Sequence, residues 1–178
     1  QTGCIGWDYC AGYRYEDTLI WGFSQNHLNG TGVPDMGDIL IMPFSGEVAK
    51  DFKSSYLKDS EVATPGYYTV DLIDNSVKVE LTATPHVAMH RYQFENPALY
   101  INFQNGSVGS QQSYDNRVIR ADVQIEDEYT ITGYLRVKAW VERDIFYVIK
   151  FDKPIIASED VEDGRADKGP RKLIRFAD

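Results

Sequence analysis

The sequence predicts an all-β protein, an antiparallel β-sandwich with little or no helix. Apolar residues alternate with polar ones in run after run. These runs are closely spaced and separated by Gly, Asn and Asp turns. No 12-residue window holds a 3.6-residue apolar period.

Taken in order, Thr18 to Ser24 reads as a first strand. Ile39 to Met42 is a short apolar run bounded by Gly and Pro, fit for a buried strand. The segment Glu47 to Glu61 has room for one helical turn at most. Tyr68, Val70 and Leu72 alternate with Thr69 and Asp71, Asp74-Asn-Ser turns the chain, and Val77, Val79, Leu81 and Ala83 alternate with Lys78, Glu80 and Thr82. That is a hairpin with one buried face. Leu99, Ile101 and Phe103 form another run, stopped by Asn105-Gly106. Ile119, Ala121, Val123 and Ile125 form the next, and Glu126-Asp-Glu turns it towards Ile131, Leu135 and Val137. Ile145, Tyr147, Ile149 and Phe151 follow, limited by Pro154 to an edge or an end. Ser158 to Pro170 is charged and poor in apolar residues, which reads as a mobile loop or a linker.

The 178 residues suffice for one domain with a real core, and the reading takes 1–178 as a single sandwich domain. A net charge of −9 argues against nucleic acid, whose phosphates need a basic surface, and against docking on anionic lipid. No apolar run is long enough for a membrane-spanning helix. The chain opens on Gln1 and ends at Asp178, two residues past a strand-like KLIRF, which reads as a mature fragment or an excised domain. Cys4 and Cys10 are its two cysteines, either free or bridged across a small loop, and they make no zinc pattern.

The run from Gly6 to Pro43 carries the chemistry. It packs aromatic residues, a histidine, close-spaced aspartates and six glycines together. Such a mix suits a ligand site built on turns, and a sugar in particular. Rings cover the apolar C–H face of a sugar while carboxylates and amides bond its hydroxyls. Trp7 beside Asp8 is either a sugar platform with a hydroxyl acceptor or a core Trp with its N–H satisfied. His27 lies at a strand end, where function concentrates, although a lone histidine is commonly a structural hydrogen-bonder. Asp35 and Asp38 can bind calcium, hold sugar hydroxyls, or form a turn into the Ile39 strand. Trp21 and Trp140 sit within alternating strands, and His86 and His90, four apart, lie in a strand that Pro85 interrupts rather than on a helix, so they are not a metal pair. A glycosidase needs two carboxyl groups facing each other across the bond it cleaves, and the 27 acidic residues offer no reason to select a pair.

GWDYCAGYRYED resembles the Trp-Asp-x-Cys-Ser-Gly-Tyr-x-Tyr-x-Asp run of glycoside hydrolase family 92, the bacterial exo-α-mannosidases. GFSQNHLNGTGVPDMGDILIMP is similar to that family's Gly-Phe-Ser-His-Thr-His-Leu-Ser-Gly-Thr-Gly signature and the strand behind it. Glu61-Val-Ala-Thr-Pro-Gly-Tyr-Tyr-Thr-Val and Glu80-Leu-Thr-Ala-Thr match the following hairpin, and Gly133 to Phe151 resembles a late strand pair.

The resemblance implies a β-supersandwich of the galactose-mutarotase type, part of a larger two-domain, calcium-dependent inverting α-mannosidase that is periplasmic or secreted. The general acid, general base and calcium ligands are expected mainly in a C-terminal helical barrel that nothing here matches. Carried over position by position, Trp7, Asp8, Cys10, His27 and Asp35 line the pocket for a mannose-containing glycan. Gln25 replaces the family's first histidine and Asn29 its serine, so an imidazole contact at Gln25 is lost. A free-standing carbohydrate-binding module and a structural or interface sandwich are the other readings.

Overall fold

The computed structural model describes residues 15–24, 26, 36–104, 118–138, 142–162 and 170–178. These residues form twelve strands: β1 (Leu19–Ile20), β2 (Leu40–Ser45), β3 (Ser54–Thr64), β4 (Tyr67–Leu72), β5 (Val77–Ala83), β6 (Ala88–Gln93), β7 (Pro97–Asn102), β8 (Val118–Asp127), β9 (Thr130–Lys138), β10 (Glu142–Lys150), β11 (Ile155–Asp160) and β12 (Arg171–Phe176). All pairings are antiparallel. Three sheets result, with strand orders β1-β3-β4-β5-β6, β11-β12-β7-β2 and β10-β9-β8. The predicted all-β sandwich is the observed fold.

The four-stranded sheet lies in the middle, buried on both faces. Its β7 reads Pro-Ala-Leu-Tyr-Ile-Asn, with bulky residues at both parities, and every residue of it is buried. Because side chains alternate across a strand, Ala98 and Tyr100 go to one face and Leu99 and Ile101 to the other. The first pair joins Phe44, Met42, Val70, Leu72 and Val79 against the five-stranded sheet. The second joins Ile41, Phe103, Ile174, Ile131, Leu135 and Val137 against the three-stranded sheet. The outer sheets are covered on one side only, so their strands alternate apolar and polar as an antiparallel sheet with one wet face does.

The predicted β4–β5 hairpin is present, with Val70 opposite Val79 and Leu72 opposite Val77. Its turn is tied down twice. The Asp74 carboxylate accepts from Ser55 N–H at 2.6 Å and from Ser55 Oγ at 2.7 Å, and these bonds pull its pKa below the usual range. Asn75 Nδ2 donates to Pro43 carbonyl oxygen at 2.9 Å, which clasps the hairpin to β2. Pro43 sits inside β2 rather than ending it. The neighbouring Ile41 exchanges both backbone bonds with Phe23 on the open side of this edge strand. Pro43 shares that side, so its missing N–H costs no ladder bond.

Other boundaries differ from the sequence reading for identifiable reasons. Thr18 to Ser24 is not one strand. It breaks at Gly22 (φ +139°), where an added Cβ would lie 2.8 Å from Leu40 Cγ. There the chain leaves β3 and bridges to β2 through Phe23. No helical turn forms between Glu47 and Glu61; β3 occupies its second half. A bulge between Val118 and Arg120 turns Ile119 outward, 57% exposed, and Val118 takes the core position. The segment Ser158 to Pro170 does not begin as a loop: β11 runs to Asp160, its charged residues carried by Lys172–Asp160 and Arg175–Glu159 pairs with β12.

Candidate functional site

Two clusters tie the described ends of the opening stretch to the sheets. The first gathers around β3 and β4. The Tyr56 hydroxyl donates to the Asp17 carbonyl at 2.6 Å. Lys58 lies 4.4 Å over the Tyr15 ring and pairs with Glu61 at 2.8 Å. The Tyr68 hydroxyl donates to the same Glu61 carboxylate at 2.8 Å, and that side chain is only 9% exposed. The ladder shift between Leu57 and Val62 makes this possible by turning Glu61 towards Lys58. Two sequence blocks, around Tyr15–Asp17 and Glu61–Tyr68, therefore meet.

The second cluster centres on Asp38, 3% exposed. Asn26 Nδ2 donates to Asp38 Oδ2 at 2.9 Å, and the Asp38 N–H donates back to Asn26 Oδ1 at 2.9 Å. The Gly37 N–H donates to the Asn26 carbonyl at 2.6 Å. Arg143, on β10 of the far sheet, donates from Nη2 to Asp38 Oδ1 at 3.0 Å and to Oδ2 at 2.9 Å, with Nε 3.3 Å from Oδ2. The backbone here is unusual: Met36 (φ 66°), Gly37 (φ 76°) and Ile39 (φ 56°) are all left-handed. For the β-branched Ile39 this costs on the order of 1–3 kcal/mol. The bonds to Asp38 offset that cost.

Asp38 is thus a structural anchor rather than a free hydroxyl acceptor. Trp7, Asp8, Cys10, His27 and Asp35, the residues expected to hold sugar, lie outside the described residues, as do Cys4, Gln25 and Trp140. Trp21 is half-buried, with Lys53 5.1 Å from its ring. Sequence reasoning missed Asn26 and Arg143. A signal for Arg143 existed: it falls in phase with Ile145, Tyr147 and Ile149, so a cation on that face needs a buried anion.

Among the described residues, the carboxylates whose pKa is displaced all move down. Arg91 and Tyr67 hold Glu80 at about 2, and Tyr134 and Arg136 hold Asp144 below the usual range. That suits surface ion pairing, whereas a general acid needs a raised pKa. His90, whose Nδ1 lies 2.5 Å from the Tyr92 hydroxyl, is pushed down to about 4 by burial. Among the described residues no cluster of three His, Cys, Asp or Glu side chains can hold a metal ion. The Asp38 carboxylate is committed to Arg143 and Asn26, so these residues do not fit calcium.

Comparison with known proteins bears on this arrangement. The family described as glycosyl hydrolase family 92 N-terminal domain matches residues 1–173. The fold superposes on a family 92 α-mannosidase from Bacteroides thetaiotaomicron with a TM-score of 0.85 and 28% identity, over 99% of this chain and 27% of that one. The same enzyme in complex with mannoimidazole gives a TM-score of 0.85 and 28% identity, over 99% of this chain and 26% of that one. An uncharacterised secreted glycosidase of Arthroderma benhamiae is 33% identical over 97 residues, 47% of this chain and 12% of that protein. The chain spans about a quarter of the length of its solved relatives.

Proposed function

The chain belongs to the glycosyl hydrolase family 92 N-terminal domain family, and on that premise we propose that it forms one wall of the mannose pocket of a secreted α-mannosidase, with catalysis supplied by residues outside it. The observation that carries this reading is the likeness of nearly the whole chain to an α-mannosidase that also binds mannoimidazole. In this reading Trp7 covers the apolar face of the terminal sugar. Asp8 and Asp35 accept from its hydroxyls, and His27 and Cys10 complete the wall. The acid and base face each other from a C-terminal helical barrel, on the order of 6.5–9.5 Å apart, with room for the water that inverts the anomeric carbon. The lowered pKa values of Glu80 and Asp144 argue against either of these two residues as the general acid. Calcium, as the charge that orients sugar hydroxyls, is assigned to the same outside residues.

The test is release of mannose from α-linked mannobiose, by the 178-residue chain and by the longer polypeptide containing it. The longer polypeptide should turn over and lose activity to a chelator, and the chain alone should not. Chelator-sensitive turnover by the chain alone would contradict the division of labour. Tight mannose binding by the chain alone would favour the carbohydrate-binding-module reading.

A further inference from the structure

Among the described residues, β1, β6, β11, β2, β10 and β8 lie at the edges of the three sheets. Short strands, prolines and bulges keep a sheet edge from pairing with another chain. β1 has two residues, and β6 is regular but has only six. β2 carries Pro43 and is partly covered by the Phe23 bridge. The register of β8 shifts twice and that of β11 once. β10 has none of these features. Its nine residues, Glu142–Lys150, pair with β9 without a register shift and include no proline.

The ladder decides which groups this edge offers. The Phe151 N–H donates to the Tyr129 carbonyl at 2.9 Å, so odd residues of β10 turn their backbone groups to β9 and even residues turn theirs outward. The even residues Glu142, Asp144, Phe146, Val148 and Lys150 also carry the exposed side chains, with Phe146 79% and Val148 61% exposed. This row is self-complementary. Laid antiparallel against itself with Phe146 opposite Phe146, it sets Glu142 opposite Lys150 at both ends and Asp144 opposite Val148 between. Even residues then face even residues, so the outward N–H and carbonyl groups of the two copies meet. Asp144 is held by Arg136 and Tyr134, which balances its charge within its own sheet. Arg136 also binds Oε1 of Glu142. Slips of two residues shorten the overlap and set Glu142 opposite Val148 or Asp152 instead.

We propose that two copies of this chain associate edge to edge through β10, about a two-fold axis at Phe146, and so join their three-stranded sheets into one continuous sheet. Backbone bonds hold the seam, the two Phe146 rings pack across it, and the Glu142–Lys150 pairs set its register. The contact is confined to one strand of each copy, so association is weak and is lost on dilution. It does not rest on the mannose reading.

Sedimentation velocity of the 178-residue chain from about 10 µM to 1 mM should show a reversible monomer–dimer equilibrium. Lys150→Glu sets like charges opposite each other at both ends and should raise Kd about tenfold or more, and adding Glu142→Lys to the same chain should restore it. Val148→Pro removes an outward N–H without costing a β9 bond and should also weaken the dimer, provided its circular dichroism matches the wild type. Where that variant does not fold, the charge exchange decides. Amide hydrogen exchange gives a second readout: Phe146 and Val148 should slow with rising concentration more than Ile145 and Tyr147, whose N–H groups bond β9. A chain still monomeric at the highest concentration, a dimer indifferent to Lys150→Glu, or slowing without this parity overturns the proposal. The longer polypeptide should dimerise in the same way. A monomer there, with the Phe146 and Val148 amides protected, would give the edge to a contact within that polypeptide and overturn its assignment to a second copy.

Discussion

Burial of the central sheet on both faces makes a sharp prediction at two consecutive residues of β7. Ile101 is 0% and Tyr100 2% exposed, and they point into opposite core clusters. Ile101→Ala removes three carbons, each worth about 0.8 kcal/mol of transfer free energy, or ~2.4 kcal/mol before any cavity cost. With the cavity, the loss should be roughly 3–4 kcal/mol, within the range for such truncations. Tyr100 stacks on Phe52 with ring centroids 4.0 Å apart, and Tyr100→Ala should cost about 3–5 kcal/mol. For a chain of this size each kcal/mol lowers Tm by roughly 2–4 °C, so both variants should melt about 6–20 °C early. Phe146, 79% exposed on the outer face of β10, is the control: Phe146→Ala should stay within about 0.5 kcal/mol. Urea denaturation followed by circular dichroism gives all three values. In a two-sheet sandwich one face of β7 would be wet. A cheap substitution at either Tyr100 or Ile101 would therefore refute the three-layer arrangement.

Two further outcomes follow from local geometry. The pKa of His90 falls from 6.5 to about 4 on folding, because burial disfavours the imidazolium. The unfolded chain therefore binds more protons between these values, so the contribution is complete above about pH 6.5 and is lost as pH falls towards 4. Between pH 7.5 and pH 4 the wild type should lose about 2–3 kcal/mol more than His90→Gln in urea melts, and parallel pH profiles would remove His90 from the account. Gly133 leaves no room for a side chain, since a Cβ there would collide with the Tyr147 hydroxyl and the Asp122 carbonyl. Gly133→Ala should cost about 1–3 kcal/mol, and a variant as stable as the wild type by thermal melting would show that β8 and β10 give way easily.

Much of the fold was legible because its signals are local. Alternation at Val77–Ala83 and at Ile145–Phe151 fixes strands whatever lies above them. Sheet order and stacking were not legible, since they depend on which apolar face meets which. The bulge at Ile119 reverses a phase that the residue types alone favour, and β11 is held by ion pairs to β12 that its charged sequence reads as loop. The aromatic and acidic character of the opening stretch was evident from composition. The Asp38–Arg143 contact was not, because pairing at that separation leaves no mark beyond an arginine in the phase of a buried strand face.

As proposed above, this domain forms a wall of a mannose pocket without supplying its acid or base. Steady-state kinetics of Trp7→Ala in the longer polypeptide, with Tm measured alongside, test it most directly. Trp7→Ala should lower kcat/KM for α-linked mannobiose at least tenfold, with Tm within a few degrees of wild type, roughly the shift that 1 kcal/mol produces in a domain of this size. Unchanged kinetics with a large fall in Tm would make Trp7 a core residue and contradict the claim.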